Sequence, residues 1–137
     1  MAKLAVRSLD HLVLTVRSIP ATVAFYTTHL GMRHEKFTSP ANRDVERHEE
    51  PKFTPVERLL MFTKEFEPKA QNVQPGSADL CFMTDTNVES VLQQFREANI
   101  QVLEGDKVVE RTGARGKILS VYVRDPDGNL IEVSNYA

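Results

Sequence analysis

The chain has 137 residues, a formal charge of −2, 41% hydrophobic residues and 26% charged residues. This is the length of one compact domain, with enough apolar material for a core and no basic excess of the kind a dedicated nucleic-acid binder carries. No apolar run approaches the roughly 20 residues needed to span a bilayer, and the start, "MAKLAVRSLD", holds no apolar stretch of signal-peptide length.

Residues 9–16, "LDHLVLTV", predict a strand from their β-branched and aliphatic content. "SIPATVAFYTTHLGM" then predicts a helix. Ser18 suits the cap, Pro20 the first turn and Gly31 the stop, with Val23, Tyr26 and Leu30 at helical spacing. The middle, residues 33–76, carries weaker signals. "TSPANRDVERHEEPKFTPVER" is charged and broken by three prolines, and reads as a long loop or as badly interrupted strands. "RLLMFT" (58–63) is the convincing strand signal there, and "PKAQNVQPG" (68–76) reads as a linker.

The plan then repeats. "ADLCFMT" (78–84) predicts a strand, and "NVESVLQQFREANI" (87–100) a helix capped by Asn87, with Val88, Val91, Leu92 and Phe95 on one face. Cys81, the single cysteine, cannot form an internal disulfide, so a reducing, cytoplasmic setting is expected, with Cys81 as a small buried apolar residue. "QVLEGDKVVER" holds one strand or a split pair, "KILSVYVRD" is a strong strand, and "NLIEVSNY" is the last. Asp127-Gly128-Asn129 supplies the hairpin turn between the final two. The chain therefore reads as two β-α-β-β-β modules in tandem, about 8–67 and about 76–136, each too small to make a good core alone.

Strand alternation places the chemistry. Successive strand residues point to opposite faces. Leu12, Leu14 and Val16 share one face of the first strand, opposite His11, Val13 and Thr15. Ile131 and Val133 share one face of the last strand, opposite Leu130, Glu132 and Ser134. Leu80 and Phe82 oppose Asp79, Cys81 and Met83. His11, Asp79 and Glu132 thus all fall on mixed faces, and His11 and Asp79 hold equivalent positions in the repeat. A carboxylate in a trough is costly unless it is paired or bound to a cation, and imidazole with carboxylates suits Fe, Mn, Ni or Zn. Each residue taken alone has a plainer reading: a satisfied strand histidine, a turn-bonding aspartate, an exposed glutamate on a half-wet sheet.

Other residues carry less. His29 sits at a helix end, where a cation suits the dipole, while His34 and His48 lie in charged surroundings that suit solvated surface. "RTGARG" (111–116) reads as a hairpin, either a plain surface turn or a cover for a ligand. Arg124 suits an anionic substrate or a pairing with Asp125 or Asp127. Phosphate loops, Ser-His-Asp triads and CxxC pairs are absent from the sequence.

Together, "LDHLVLTV…FYTTHLGM", "FEPKA…PGSADLCFMT", "RTGARG" and "VYVRDPDGNLIEVSNY" resemble the vicinal-oxygen-chelate superfamily, which includes glyoxalase I, fosfomycin- and bleomycin-resistance proteins and extradiol dioxygenases. Within it the chain most resembles the glyoxalase-domain-containing protein 5 group and its bacterial virulence-associated relatives. The likeness covers roughly residues 8–37 and 64–136. It implies an α+β fold, the glyoxalase/bleomycin-resistance fold, in which tandem βαβββ modules form a cupped mixed sheet, usually as a homodimer. It also implies a divalent metal, held by His11 from the first strand and Glu132 from the last. Asp79 stands where many relatives have a second histidine. "RLLMFT" departs from the family's polar segment. If "LLMFT" aligns with "LIEVS", Met61 occupies the place of the first module's carboxylate.

The resemblance implies a small oxygen-chelating substrate and a lactoylglutathione-lyase-type isomerisation in which Glu132 moves the proton. Two alternatives stay open: an extradiol-dioxygenase-like oxidoreductase, or a metal-free sequestering protein whose hollow is lined in part by Val13, Cys81, Met83, Tyr122 and Leu130.

Overall fold

The computed structural model describes residues 2–39, 42–50, 56–64 and 67–137, with the backbone alone over 35–50, 56–58 and Leu60. The chain divides into two compact units, Met1–Gln74 and Pro75–Ala137.

The first unit runs β1 (Leu9–Thr15), α1 (Ile19–Leu30), β2 (Glu35–Ser39), β3 (Asn42–Glu50) and β4 (Val56–Phe62). The second runs β5 (Asp79–Met83), α2 (Val88–Glu97), α3 (Leu103–Asp106), β6 (Val109–Gly113), β7 (Gly116–Arg124) and β8 (Leu130–Tyr136). Each unit holds one four-stranded mixed sheet, ordered β1-β4-β3-β2 and β5-β8-β7-β6. In both, the first strand pairs in parallel with the last, and the remaining pairs are antiparallel. The repeat read from the sequence is therefore a repeat of topology.

The helix ends follow local chemistry. The Ser18 side chain accepts from the Ala21 amide at 3.3 Å, and Asn87 accepts from Glu89 at 2.9 Å, each satisfying an orphan donor of the first turn. Gly31 ends α1 at φ 68°, in the left-handed region a side chain resists. In α1 the buried residues are Thr22, Phe25 and Tyr26, with Val23 and Leu30 only half-buried, so the buried face is turned from the one predicted. In α2 the predicted face, Val88, Val91, Leu92 and Phe95, is the buried one, and it packs on β7 and β8. There it meets Val121, Val123, Ile131 and Val133, which are 5% exposed or less.

Two segments that the sequence left open between alternatives take one of them. The stretch read as a long loop or as badly interrupted strands follows the second reading: it holds the end of β2 and all of β3, and β3 is paired on both sides. Its sequence, "NRDVERHEE", has no apolar period to announce a strand, yet the ladder supplies its backbone hydrogen bonds. Residues 51–55 of that stretch lie outside the described residues. "QVLEGDKVVER" is one strand rather than two: Glu104, Gly105 and Asp106 all take positive φ, so the chain turns at α3 before entering β6.

The turn between β7 and β8 is built by Asp125, which is 5% exposed. Its Oδ1 accepts from the amides of Asp127 (2.9 Å) and Asn129 (3.0 Å), and its Oδ2 accepts from Asn129 Nδ2 (2.7 Å). Gly76 passes so close to the Asp127 carbonyl that a Cβ there would collide with backbone. "DPDGN" is thus a self-bonded turn, and Asp125 is spent on closing it.

Candidate functional site

Glu132 is the charge in the middle of the C-terminal strand. It is half-buried on β8, on the face opposite the one that packs under α2. The antiparallel register of β7 and β8 sets Tyr122 opposite Glu132 and Ser120 opposite Ser134. The parallel register of β5 and β8 sets Cys81 beside Glu132. Four donors therefore reach the neighbourhood of one carboxylate from three strands.

Ser120 and Ser134 are both fully buried. The Ser120 hydroxyl donates to Glu132 Oε1 at 2.5 Å, the distance of a strong charge-assisted bond, and the two serine hydroxyls stand 2.8 Å apart. Ser134 lies 3.4 Å from the same Oε1. Cys81 Sγ lies 3.6 Å from Ser134 Oγ. Ser120 has one proton and spends it on the carboxylate, so the proton of the Ser120–Ser134 bond comes from Ser134.

Two neighbours feel the carboxylate. Burial raises the Tyr122 phenol to about 12, helped by its hydrogen bond to Glu132 and the carboxylate's charge, and opposed by Arg111. The Arg111 guanidinium stands 5.5 Å from the Tyr122 ring centre and 3.3 Å from Glu104 Oε2. Burial of part of the Cys81 side chain pushes its thiol up; the Ser134 hydrogen bond works the other way, and Glu132 and Asp79 add to the rise. Cys81 itself is exposed, which corrects the expectation of a buried apolar residue. An edge strand has no neighbour to cover its outer positions, and β5 is the edge of its sheet.

The remaining sequence candidates fall as follows. Asp79 opens β5 and is exposed. His11 lies in the first unit, on the exposed face of β1 with Leu9 and Val13, and its Nδ1 is 2.6 Å from Asp10 Oδ1. Met83 is exposed, and Tyr122 and Leu130 are half-buried. Arg124 donates to the Gly128 carbonyl at 3.0 Å, inside the β7–β8 turn. "RTGARG" forms the tip of the β6–β7 hairpin, where Arg115 stacks over Tyr136 at 5.0 Å. His29 packs edge-on against Phe25, and the side chain of His48 lies outside the described residues.

The register corrects one alignment. His11 pairs with Arg58 as Asp79 pairs with Leu130, and Val13 pairs with Leu60 as Cys81 pairs with Glu132. Leu60, not Met61, therefore holds the position equivalent to Glu132. Met61 is fully buried, as Ile131 is and Val133 nearly is, because it belongs to the opposite face of its strand. The first unit offers no carboxylate at this position.

Imidazole with carboxylates is the donor chemistry of a divalent-cation site. Among the described residues, however, no three His, Cys, Asp or Glu side chains are grouped so that one ion would be held by all of them. Glu132 accepts the Ser120 proton and keeps lone-pair sites beyond it.

The comparison with known proteins decides the family. Residues 8–133 match the profile of the Glyoxalase/Bleomycin resistance protein/Dioxygenase superfamily. The chain belongs to that superfamily. Its relatives include virulence protein STM3117 of Salmonella typhimurium, 47% identical over 128 residues, which are 93% of this chain and 83% of that protein. The glyoxalase domain-containing protein RDO1 of Mycosarcoma maydis is 47% identical over 134 residues, 98% of this chain and 71% of that one. Among solved structures, STM3117 superposes with a TM-score of 0.82 at 42% identity, covering 98% of this chain and 100% of that one. Integron cassette protein VCH_CASS1, from the mobile metagenome of V. cholerae, gives 0.83 at 44%, covering 99% and 100%. The mixed α+β architecture of this glyoxalase-superfamily chain is thus the one its relatives share. The narrower likeness to the glyoxalase-domain-containing protein 5 group rests on the sequence resemblance alone. Among the described residues no helix is long and apolar enough to cross a membrane.

Proposed function

We propose that the Glu132 face of the second unit binds a small oxygen-bearing molecule without needing a metal ion, with Glu132 as the acceptor that recognises a hydroxyl or other donor on the ligand. The observation that carries this reading is the hydroxyl set around Glu132. Ser120 donates to one carboxylate oxygen and is itself held by Ser134, Tyr122 stands opposite on the facing strand, and a carboxylate has about four lone-pair sites, so capacity remains for a ligand. Met83 and Leu130 supply apolar surface on the same face. Leu60 at the position equivalent to Glu132 supports the metal-free reading, since the repeat lacks its second carboxylate.

One observation favours a metal-dependent, glyoxalase-like activity instead: His11 and Asp79 hold equivalent register positions at the starts of the two sheets. In that reading His11, Asp79 and Glu132 are the ligands, and the protein is a homodimer acting on an oxygen-chelating substrate.

Thermal-shift screening of small hydroxycarbonyl and phenolic compounds, with and without excess chelator and beside elemental analysis, separates the two. Binding that survives chelator and disappears in Glu132→Gln supports the first reading. Binding lost in chelator and restored by Zn, Ni, Mn or Fe would establish the second.

A further inference from the structure

Strand β5 carries Asp79 and Cys81, and it is an edge strand of five residues paired to β8 alone. A short parallel pair has little in its ladder to resist slippage. Two asparagines of the β8 segment grip β5 at both ends.

Before the strand, Asn129 Oδ1 accepts from the Ala78 amide at 2.8 Å, and the Leu130 amide donates to the Ala78 carbonyl at 3.0 Å. Asn129 is 1% exposed and is itself held by both oxygens of Asp125. After the strand, Asn135 Nδ2 donates to the carbonyls of Thr84 (2.7 Å) and Thr86 (2.9 Å), and its Oδ1 accepts from the Val88 amide at 2.7 Å. Glu132 sits midway between the two asparagines along the chain.

We propose that Asn129 and Asn135 are positioning residues, which fix β5 along β8 and so set where Cys81 and Asp79 stand against Glu132. A two-residue slip would carry those side chains about 6.6 Å along the strand and separate Cys81 from Ser134 and Glu132. The two grips oppose that slip from opposite ends, in side-chain bonds outside the ladder. The inference concerns placement and does not depend on what the face binds.

Amide hydrogen exchange under native conditions tests it. The wild type is compared with Asn129→Ala, Asn135→Ala and Asn135→Asp. Asn135→Asp keeps the acceptor for Val88 and loses both donors to the strand end, so it separates anchoring of β5 from capping of α2. In each variant, exchange at Leu80 and Phe82, whose amides face β8, should quicken about tenfold or more relative to Val121 and Val123 on β7. Labelling of Cys81 by a small thiol reagent should quicken in step. Equal acceleration across β5 and β7 would show a general loss of stability and overturn the proposal, as would unchanged exchange in β5. Should Asn135→Ala not fold, Asn135→Asp and Asn129→Ala decide the matter by the same comparison.

Discussion

Ser120 on β7 donates its hydroxyl proton to Glu132 on β8 across 2.5 Å, and neither residue is near the other in sequence. The bond ties the Glu132 carboxylate to a fully buried hydroxyl. Ser120→Ala removes it and leaves Glu132 with weaker partners. Hydrogen bonds to charged groups contribute about 1.5–3 kcal/mol, so chemical denaturation should show a loss of roughly that size. An unchanged midpoint would mean that water replaces the hydroxyl at no cost.

The phenol of Tyr122 gives a pH signature. Its folded value, about 12, lies above the ordinary value of about 10, so the fold favours the protonated form. That contribution is present in full below about pH 10 and is lost as pH rises toward about 12. Tyrosinate absorbance should therefore show a late step that vanishes in Tyr122→Phe, and the variant should lose less stability than the wild type across the same window. A wild-type titration complete near pH 10 would contradict the burial of the phenol and its pairing with Glu132.

Cys81 is exposed but poorly activated. Its thiol value is raised, so the folded state holds the protonated form, and the associated stability fades as pH climbs through the folded value. Alkylation of native protein should have its pH midpoint above that of unfolded protein, with slow reaction near neutrality. A midpoint at or below that of the unfolded chain would show an activated thiolate.

Met61 tests the register of the first unit. It is fully buried and pairs with Leu14 on the packed face. Met61→Glu should place an unpaired charge in that packing and cost more than about 3 kcal/mol, whereas Met61→Leu should cost under about 1.5 kcal/mol. A well-folded Met61→Glu protein would put this residue on the other face and revive its equivalence to Glu132.

The core under α2 gives a further check. Phe95 is 2% exposed and faces the sheet. Phe95→Ala should cost about 3–5 kcal/mol in equilibrium unfolding. A loss below 1 kcal/mol on the same order-of-magnitude scale would mean that the helix does not pack as described.

Periodicity and end signals were enough to read α1, α2, β1, β5, β7 and β8, because an apolar period and its caps are local properties of the chain. So was the anomaly of Glu132 between Ile131 and Val133. The strand pairing order and the equivalence of Leu60 to Glu132 were not, and "NRDVERHEE" stayed open between loop and strand, because each depends on which backbone pairs with which. The serines and tyrosine around Glu132 were half-legible. The β7–β8 hairpin is centred on Asp127, and residues equally far from it pair: Tyr122 with Glu132 and Ser120 with Ser134. By itself the sequence determined that β1, β5 and β8 each have one apolar face and that Glu132 lies on the other face of β8. Only the tertiary structure decided which donors meet that carboxylate, because hydrogen-bond partners on neighbouring strands are set by register, and register is a relation between segments that no single segment contains.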